Sequence, residues 1–148
     1  MVTGAAGFLG VALVRKLSAL EHNIRVVLHD TKPYEPRIPE LETAVAGICD
    51  PRRFREVING CQVIVHLAAG VHAIGRHHVD QDCETVNVKS TEHVLDADAE
   101  SGVSQVIFVS SVKVLGEETK GCVDETQPLD PQTRYGWSIL RAEQLVAE

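Results

Sequence analysis

Short apolar runs alternate along the chain with longer stretches in which apolar residues recur at helical spacing. The runs are RVVL (25–28), TAVAGI (43–48), QVIVHL (62–67) and QVIFVS (105–110). Their continuous, β-branched character predicts strands buried on both faces. The intervening stretches predict four helices, at 9–20, 51–59, 82–100 and 134–147. Strand and helix in alternation are typical of a parallel sheet with helices on both faces, a doubly wound α/β domain.

The two ends of the sequence depart from that pattern. A strand of such a sheet usually has about five or six residues, whereas only Met1 and Val2 precede Thr3 and the glycine turn. The chain also stops inside or just after a predicted helix, at Glu148. At 148 residues, 44% of them hydrophobic, it has the size and composition of one domain. We therefore expect one domain, 1–148, with a truncated first strand: a fragment of a longer protein, or a very short natural version.

Charge and composition limit the partners. The formal net charge is −7, whereas nucleic acids and membrane surfaces are bound by clustered Lys and Arg. We expect neither as a partner, and an anionic ligand would have to be held locally by backbone amides or a few bases. The absence of an apolar run of roughly 18 residues and of a signal sequence predicts a cytoplasmic protein. The cysteines lack CxxC spacing, which is typical of reduced thiols rather than disulfides or zinc ligands: Cys49, Cys61, Cys83 and Cys122.

The stretch TGAAGFLG, residues 3–10, carries the clearest chemical signal. Its glycines at 4, 7 and 10 follow the strand stub and open a predicted helix. Glycine lets the amides at a helix N-terminus approach a pyrophosphate closely, because a Cβ would obstruct the approach and the helix dipole favours negative charge. In a βαβ context this spacing indicates a dinucleotide site. The competing interpretation is a purely structural tight turn.

Two acidic residues are candidates for the adenosine end of such a ligand. Asp30 follows the second strand, about 20 residues beyond the glycines, where an acidic residue binds the ribose hydroxyls of NAD. His29 could instead face the 2′-phosphate of NADP, and Asp30 could be a solvated turn residue. Asp50 either accepts a hydrogen bond from the adenine amino group or caps the helix that begins at Pro51, and both roles can coexist.

Six segments occur in the order and at roughly the spacing of the extended short-chain dehydrogenase/reductases. They are TGAAGFLG, CD (49–50), VIVHLAA (63–69), VNVKST (86–91), VIFVSSVKVLGE (106–117) and YGWSILRAEQ (135–144). The chain resembles their NAD-dependent nucleotide-sugar epimerase/dehydratase family, in the branch of UDP-glucose 4-epimerase-like and 4-keto-sugar reductase enzymes. The likeness covers the N-terminal half of a family member. It implies a Rossmann domain without the family's substrate domain, and a homodimer paired through the third and the Tyr-bearing helices as a four-helix bundle.

The resemblance also implies a role for individual residues. NAD, with NADP as a possibility, would have its adenine beside Asp50, with Tyr135 also at the cofactor. Its pyrophosphate would be bound by residues of the glycine turn, Gly4, Gly7, Phe8, Leu9 and Gly10. The path toward its nicotinamide would be lined by Leu67, Ala68 and Ala69.

The implied catalytic residues are Ser111 and Tyr135. Ser111 would hydrogen-bond the reacting oxygen of a UDP-hexose, and Tyr135 would be the acid/base while a hydride moves between sugar C4 and the nicotinamide. Dehydratases carry an acidic pair where Val112 and Lys113 stand. The resemblance therefore favours 4-epimerisation or 4-keto reduction over elimination of water.

Ile139 departs from the family pattern. Active members have Lys four residues after the tyrosine, because an isolated phenol has a pKa near 10 and a neighbouring ammonium lowers it. Losing an acid/base contribution typically costs about 10²- to 10⁴-fold in rate. Three functions stay open: an impaired epimerase or reductase, a non-catalytic NAD(P)-binding module or pseudoenzyme, and a steroid- or flavonoid-type reductase of the same superfamily.

Other polar and aromatic residues have a structural interpretation beside a functional one. The adjacent His77 and His78 are typical of an exposed pair rather than of metal ligands, and no metal site is predicted. Asn87 is expected to have a structural role, tying the third helix to the strand that bears the active site. Phe8 either stacks in a cofactor cleft or packs in the core. Lys113 either reaches the substrate or is a solvated edge charge.

Overall fold

A five-stranded parallel sheet is the centre of the computed structural model, which describes residues 1–29, 34–35, 38–39, 41–47, 50–70, 84–118 and 121–148, with backbone alone for 98–100. The chain divides into two compact units, one of residues 1–68 and 93–109 and one of residues 69–92 and 110–148. The strands all belong to the first unit: β1 (Val2–Thr3), β2 (Arg25–Leu28), β3 (Glu42–Val45), β4 (Val63–His66) and β5 (Gln105–Phe108).

The strand order is β3-β2-β1-β4-β5, with every neighbouring pair parallel. This confirms the predicted doubly wound sheet. The chain runs outward from β1 through β2 to β3 and then returns to place β4 on the other side of β1, so the winding reverses between β1 and β4. Ligands of open α/β sheets bind at such a reversal, outside the carboxyl ends of the strands.

The helices begin and end close to the predicted bounds. They are α1 (Phe8–Ala19), α2 (Pro51–Ile58), α3 (Ser90–Ser101) and α4 (Arg134–Ala147). The predicted third helix differs from the observed one because a π-helical turn, Thr85–Lys89, leads into α3. π-Helical turns are rare in helices and frequent at functional sites. A short 3₁₀ helix, Val112–Val114, follows β5.

Two apolar clusters lie on the two faces of the sheet. Ile64 of β4 packs into one cluster and its neighbour Val65 into the other, because successive side chains of a strand point to opposite faces. One cluster includes Val2, Val14, Val26 and Tyr34, and the other Phe54, Ile58, Val94 and Ala97. The prediction of burial on both faces is wrong for the edge strands: Ile107 of β5 is 41% exposed, and Glu42 and Thr43 of β3 are exposed. Their six-residue apolar runs, 43–48 and 105–110, were too short to distinguish one buried face from two.

The turn after β1 depends on backbone contacts that a Cβ would prevent. Gly4 has φ +65°, and a Cβ built on it would lie 2.6 Å from the amide nitrogen of Ala68, just beyond β4. A Cβ on Gly10 would lie 2.2 Å from the carbonyl oxygen of Gly4 and 2.6 Å from the Cα of Ala5. Two of the three glycines therefore permit the first turn of α1 to pack directly against the ends of β1 and β4.

A buried Thr–His pair joins the same two strand ends. Thr3 and His66 are register partners, each 1% exposed, and Thr3 Oγ1 lies 2.7 Å from His66 Nδ1. Thr3 Oγ1 also accepts a hydrogen bond of 3.3 Å from the Ala68 N–H. The His66 ring is stacked obliquely on Phe108, with centroids 5.8 Å apart. Burial lowers the pKa of His66 from 6.5 to about 4, because the charged ring loses its hydration.

The lowered pKa of His66 predicts a loss of stability in acid. Between pH 6.5 and about 4 the unfolded chain binds a proton at His66 and the folded chain does not, so the free energy of unfolding falls as the pH is lowered. The full effect is about 3 kcal/mol, at about 1.4 kcal/mol per pKa unit. Urea unfolding across this range should show a steeper loss for the wild type and the exposed-histidine control His22→Gln than for His66→Gln. Equal losses in all three proteins would contradict the assignment.

The glycine turn predicts a sharp difference between two Gly→Ala substitutions. Gly10→Ala should lower the free energy of unfolding by about 1–3 kcal/mol or more, because its Cβ meets backbone atoms that cannot give way. Gly47→Ala, whose Cβ would meet nothing within 4 Å, should stay within about 0.5 kcal/mol of the wild type. Urea unfolding followed by circular dichroism measures both, and similar losses in the two variants would show that the close contact is not the cause.

Candidate functional site

The N-terminus of α1 presents unpaired amides beside the glycine turn. Gly7 is its N-cap, in extended conformation and without a side-chain cap, and Val11 is the residue whose N–H donates to the Gly7 carbonyl, at 2.9 Å. The amides that precede Val11 in the first turn lack an acceptor within the helix. Phe8 is 93% and Leu9 57% exposed. The alternative that Phe8 packs in the core is therefore wrong, since the helix begins at Phe8 and its side chain lies on the rim of the first turn.

The predicted nicotinamide-side residues divide between the two units. Leu67 and Ala68 follow β4 in the first unit, where their backbone contacts Gly4 and where Ala68 is held by Thr3. Ala69 is exposed and begins the second unit. Within the first unit the structure thus brings the glycine turn and the end of β4 together at the point where the winding of the sheet reverses.

Asp50 has one of its two predicted roles. Its carboxylate accepts hydrogen bonds from the N–H groups of Arg52 and Arg53, at 3.2 and 3.3 Å, and so caps α2. The capping role is confirmed, and the contact with adenine stays a prediction. Asp30 lies outside the described residues, as do Cys49, Cys83, His77 and His78.

Tyr34 is a residue of this region that the sequence did not identify. It is 7% exposed, packs in the cluster that contains Val14, and donates a 3.3 Å hydrogen bond to the Ala5 carbonyl in the glycine turn. Burial raises the pKa of its phenol. An aromatic residue in a loop rich in proline was the only signal, and it did not indicate where the side chain would pack.

The second unit brings Ser111 and Tyr135 onto touching elements. Ser111 Oγ accepts a 3.3 Å hydrogen bond from the Lys113 N–H and caps the 3₁₀ helix. A Cβ on Gly136 would lie 2.7 Å from the Lys113 carbonyl oxygen, so this helix packs with backbone contact against the first turn of α4. Thr133 caps that turn by accepting a 3.1 Å bond from the Gly136 N–H. The predicted acid/base and its hydroxyl partner therefore share one packed corner.

Lys113 has a partner beside this corner. Its ammonium lies 2.5 Å from a carboxylate oxygen of Glu117, and the two side chains are 40% and 35% exposed. Exposed pairs of this kind contribute little to stability. The ammonium of Lys113 therefore lies in an exposed ion pair with Glu117. The part of Lys113 that packs against α4 is its backbone carbonyl.

Ile139 is buried. It is 1% exposed, among the largest fully buried side chains of the described residues, and Leu140 and Ala142 beside it are also buried. On α4 it lies one turn beyond Tyr135, on the same face. An aliphatic side chain fills this position, and no ammonium is present there.

A buried hydrogen-bond network ties the Tyr135 turn to the π-helical turn. Asn87 accepts from the Gly70 N–H at 2.6 Å and donates to the Gly70 carbonyl at 3.2 Å and to Ser138 Oγ at 2.8 Å. Ser138 Oγ donates in turn to the Tyr135 carbonyl at 2.8 Å. The structural role expected of Asn87 is confirmed, but its side chain bonds Gly70 and Ser138 of α4 rather than a strand. Sequence reasoning missed Ser138, although a serine on the apolar face of a helix signals a buried hydroxyl that needs partners.

The described parts of the chain hold no candidate metal cluster and no membrane-spanning helix. No three His, Cys, Asp or Glu side chains there converge as metal ligands, and Cys61 and Cys122 are free thiols. None of the described helices has the length and apolar character needed to cross a membrane.

Known proteins resemble the chain over nearly its whole length. It is 31% identical over 154 residues to the 3 beta-hydroxysteroid dehydrogenase/Delta 5→4-isomerase of Monkeypox virus, covering 98% of this chain and 44% of that protein. It is 32% identical over 153 residues to the N-acetyl-alpha-D-glucosaminyl-diphospho-ditrans,octacis-undecaprenol 4-epimerase of Escherichia coli O157:H7, covering 100% and 42%. The chain thus spans less than half the length of these relatives.

A solved structure agrees with both the fold and the cofactor class. The dTDP-glucose 4,6-dehydratase of Streptomyces venezuelae, crystallised with NAD, superposes with a TM-score of 0.84 at 28% identity, covering 99% of this chain and 49% of that one. The sequence profile of the NAD dependent epimerase/dehydratase family matches residues 1–148. With the glycine turn at the reversal of a doubly wound sheet, and with a profile that matches from end to end, the chain belongs to the NAD dependent epimerase/dehydratase family.

Proposed function

We propose that the chain is the cofactor-binding part of an NAD-dependent nucleotide-sugar epimerase or 4-keto reductase that acts on a UDP-hexose, with turnover impaired by Ile139. The observation that carries the proposal is the contact between the 3₁₀ helix and α4. That contact holds Ser111 and Tyr135, the residue types this chemistry needs, on touching elements. The 4-epimerase and the dTDP-glucose dehydratase to which the chain is similar act, by name, on sugars linked to a diphosphate.

The residues of the first unit suit a dinucleotide. The free amides of the first turn of α1, with Gly7 as a cap that has no side chain, would hold the pyrophosphate, since helix N-termini favour anions. Leu67 and Ala68, against Gly4, would line the path toward the nicotinamide. When bound, the nicotinamide supplies the hydride acceptor and donor of the reaction.

Residues of the second unit would carry out the proton transfer. The Tyr135 phenol would accept the proton of the sugar hydroxyl and return it, while Ser111 would hydrogen-bond the reacting oxygen and orient it. Ile139 offers no positive charge beside Tyr135, so the proton transfer would proceed without electrostatic assistance from that position. We therefore infer that turnover is slow and that cofactor binding survives better than catalysis.

Two other functions have support of their own. A non-catalytic NAD(P)-binding module is favoured by the complete burial of Ile139 as an ordinary core residue. A steroid-type reductase is favoured by the viral relative, which by name acts on a hydroxysteroid. Turnover of UDP-sugars, hydroxysteroids and dihydroflavonols, compared side by side, separates these functions.

We also infer that the protein is cytoplasmic, because its four cysteines lack the spacing of disulfide or zinc sites and reduced thiols are typical of the cytoplasm.

We infer further that the protein is a homodimer. Trp137 is 53% exposed on α4, and an ion pair between Arg141 and Glu84 joins the exposed side of α4 to the start of the π-helical segment. This surface of the second unit suits pairing with a second copy through a four-helix bundle.

Gly7→Asp should separate cofactor binding from stability. Gly7 already has the extended backbone of an N-cap, so an Asp there would cap the amides of the first turn and gain a few tenths of a kcal/mol. Its Cβ would lie 3.2 Å from the Gly4 carbonyl oxygen, which offsets that gain, so the free energy of unfolding should stay within about 0.5 kcal/mol of the wild type. The same carboxylate would repel a pyrophosphate and abolish the binding of NAD. Calorimetric titration with NAD and NADP, with urea unfolding in parallel, measures both effects.

The matched control is Ala19→Asp, which adds the same charge at the exposed C-terminal end of α1. This variant should bind NAD as tightly as the wild type does. Both proteins should bind NAD more tightly than NADP. An absence of heat and of thermal shift for the wild type at about millimolar cofactor, where even weak binding stabilises measurably, would refute the cofactor proposal.

Ile139→Lys tests the catalytic part of the proposal. In a chain extended by a family substrate domain, the substitution should raise NAD-dependent turnover of a UDP-hexose by about 10²- to 10⁴-fold, the usual worth of an acid/base contribution. Ile139→Leu, which preserves the apolar burial, is the control and should leave turnover low. Wild-type turnover as fast as that of Ile139→Lys would show that Ile139 does not impair the enzyme.

A further inference from the structure

Ser138 makes two short hydrogen bonds from a position with almost no access to solvent. It is 2% exposed. Its hydroxyl donates to the Tyr135 carbonyl at 2.8 Å and accepts from Asn87 Nδ2, also at 2.8 Å. A serine hydroxyl in a helix commonly bonds back to the preceding turn. Here the same oxygen is also fixed from outside the helix, so its direction is determined by a second element.

That second element is itself held firmly. Asn87 is 2% exposed, and its side-chain amide uses its oxygen and its other N–H to bind both backbone groups of Gly70. Its own carbonyl accepts a 2.8 Å bond from the Thr91 hydroxyl. Asn87 lies in the π-helical turn Thr85–Lys89. A continuous chain of hydrogen bonds therefore runs from Gly70 through the buried side chains of Asn87 and Ser138 to the main chain of Tyr135.

A second side chain bonds the same peptide group at the start of α4. The Tyr135 carbonyl and the Gly136 N–H are the two ends of one planar peptide group. Thr133 Oγ1 accepts from its N–H end at 3.1 Å, and the Ser138 hydroxyl donates to its carbonyl end at 2.8 Å. The two bonds together fix the tilt of this peptide group and, through it, the direction of the Tyr135 side chain, and the bond from Ser138 connects it to Asn87.

We propose that Ser138 is a positioning residue for Tyr135: its hydroxyl transmits the fixed orientation of the Asn87 amide to the turn that carries the phenol. This rests on the proposed function for the acid/base role of Tyr135, although the positioning itself does not require that role. Removal of the hydroxyl leaves a buried N–H of Asn87 without its acceptor. It also removes the bond at the carbonyl end of the Tyr135–Gly136 peptide group, so that this group keeps the Thr133 bond at its N–H end and loses its connection to Asn87.

The composition of the chain provides a direct probe. It has two tyrosines, Tyr34 and Tyr135, so a chain labelled with ¹³C in its tyrosine rings gives two sets of ring signals, which Tyr34→Phe assigns. In Ser138→Ala the Tyr135 signal should shift or split while the Tyr34 signal, in the other unit, keeps its position. Ser138→Thr, which retains the hydroxyl, should restore the wild-type signal of Tyr135.

Ser110→Ala is the matched control. Ser110 belongs to the same unit, and its buried hydroxyl oxygen has no hydrogen-bond partner within the described residues, so its loss should leave both tyrosine signals in place. If Ser138→Ala unfolds the chain and both signals move to unfolded positions, the near-isosteric Ser138→Cys takes its place, with the same shift of Tyr135 alone expected. An unmoved Tyr135 signal in the folded Ala or Cys variant would overturn the proposal. A failed titration with NAD would instead count against the proposed function and leave this result intact.

Discussion

The structure depends first on a close approach of backbone to backbone at the carboxyl ends of β1 and β4. Gly4 and Gly10 allow it, because a Cβ on either would come within 2.6 Å or less of main-chain atoms. The contact fixes the start of α1 against the sheet, and it leaves the first-turn amides and the exposed Phe8 at the reversal of the winding. The proposed ligand site at the helix end is thus a consequence of the packing, because the same two glycines that allow the contact also leave these amides accessible.

Buried polar side chains then stabilise the elements that the apolar clusters alone would leave loosely specified. Thr3 and His66 join β1 to β4, and Asn87 and Ser138 join the π-helical turn to α4. Each of these side chains is at most 2% exposed. A buried polar group is costly unless its partners are in place, so such pairs select one register of the strands and one rotation of the helix. Apolar packing tolerates slippage, and these pairs do not.

The sequence predicted what depends on local pattern and failed where long-range contacts decide. The alternating runs predicted the parallel sheet and the glycine spacing predicted the turn after β1, because both features depend on residues that are close in sequence. The Ser138 network joins residues 51 apart in sequence, Asn87 and Ser138, and no local pattern encodes that pairing. Phe8 shows the other limit: an aromatic residue suggests a core, but its position as the first residue of α1 placed it at 93% exposure.

Residue 139 shows how separable fold and chemistry are in this chain. A fully buried aliphatic side chain stabilises a fold by about 1.5–3 kcal/mol, and Ile139 at 1% exposure makes that contribution where an ammonium would have to be desolvated or paired. The glycine contact, the Thr133 cap and the Ser138 network around Tyr135 involve other side chains and do not need a lysine at 139. The architecture that orients a phenol can therefore persist without the charge that activates it. Within this part of the proposed enzyme, the catalytic and the non-catalytic proposals differ at one side chain, and the fold that both require is the same.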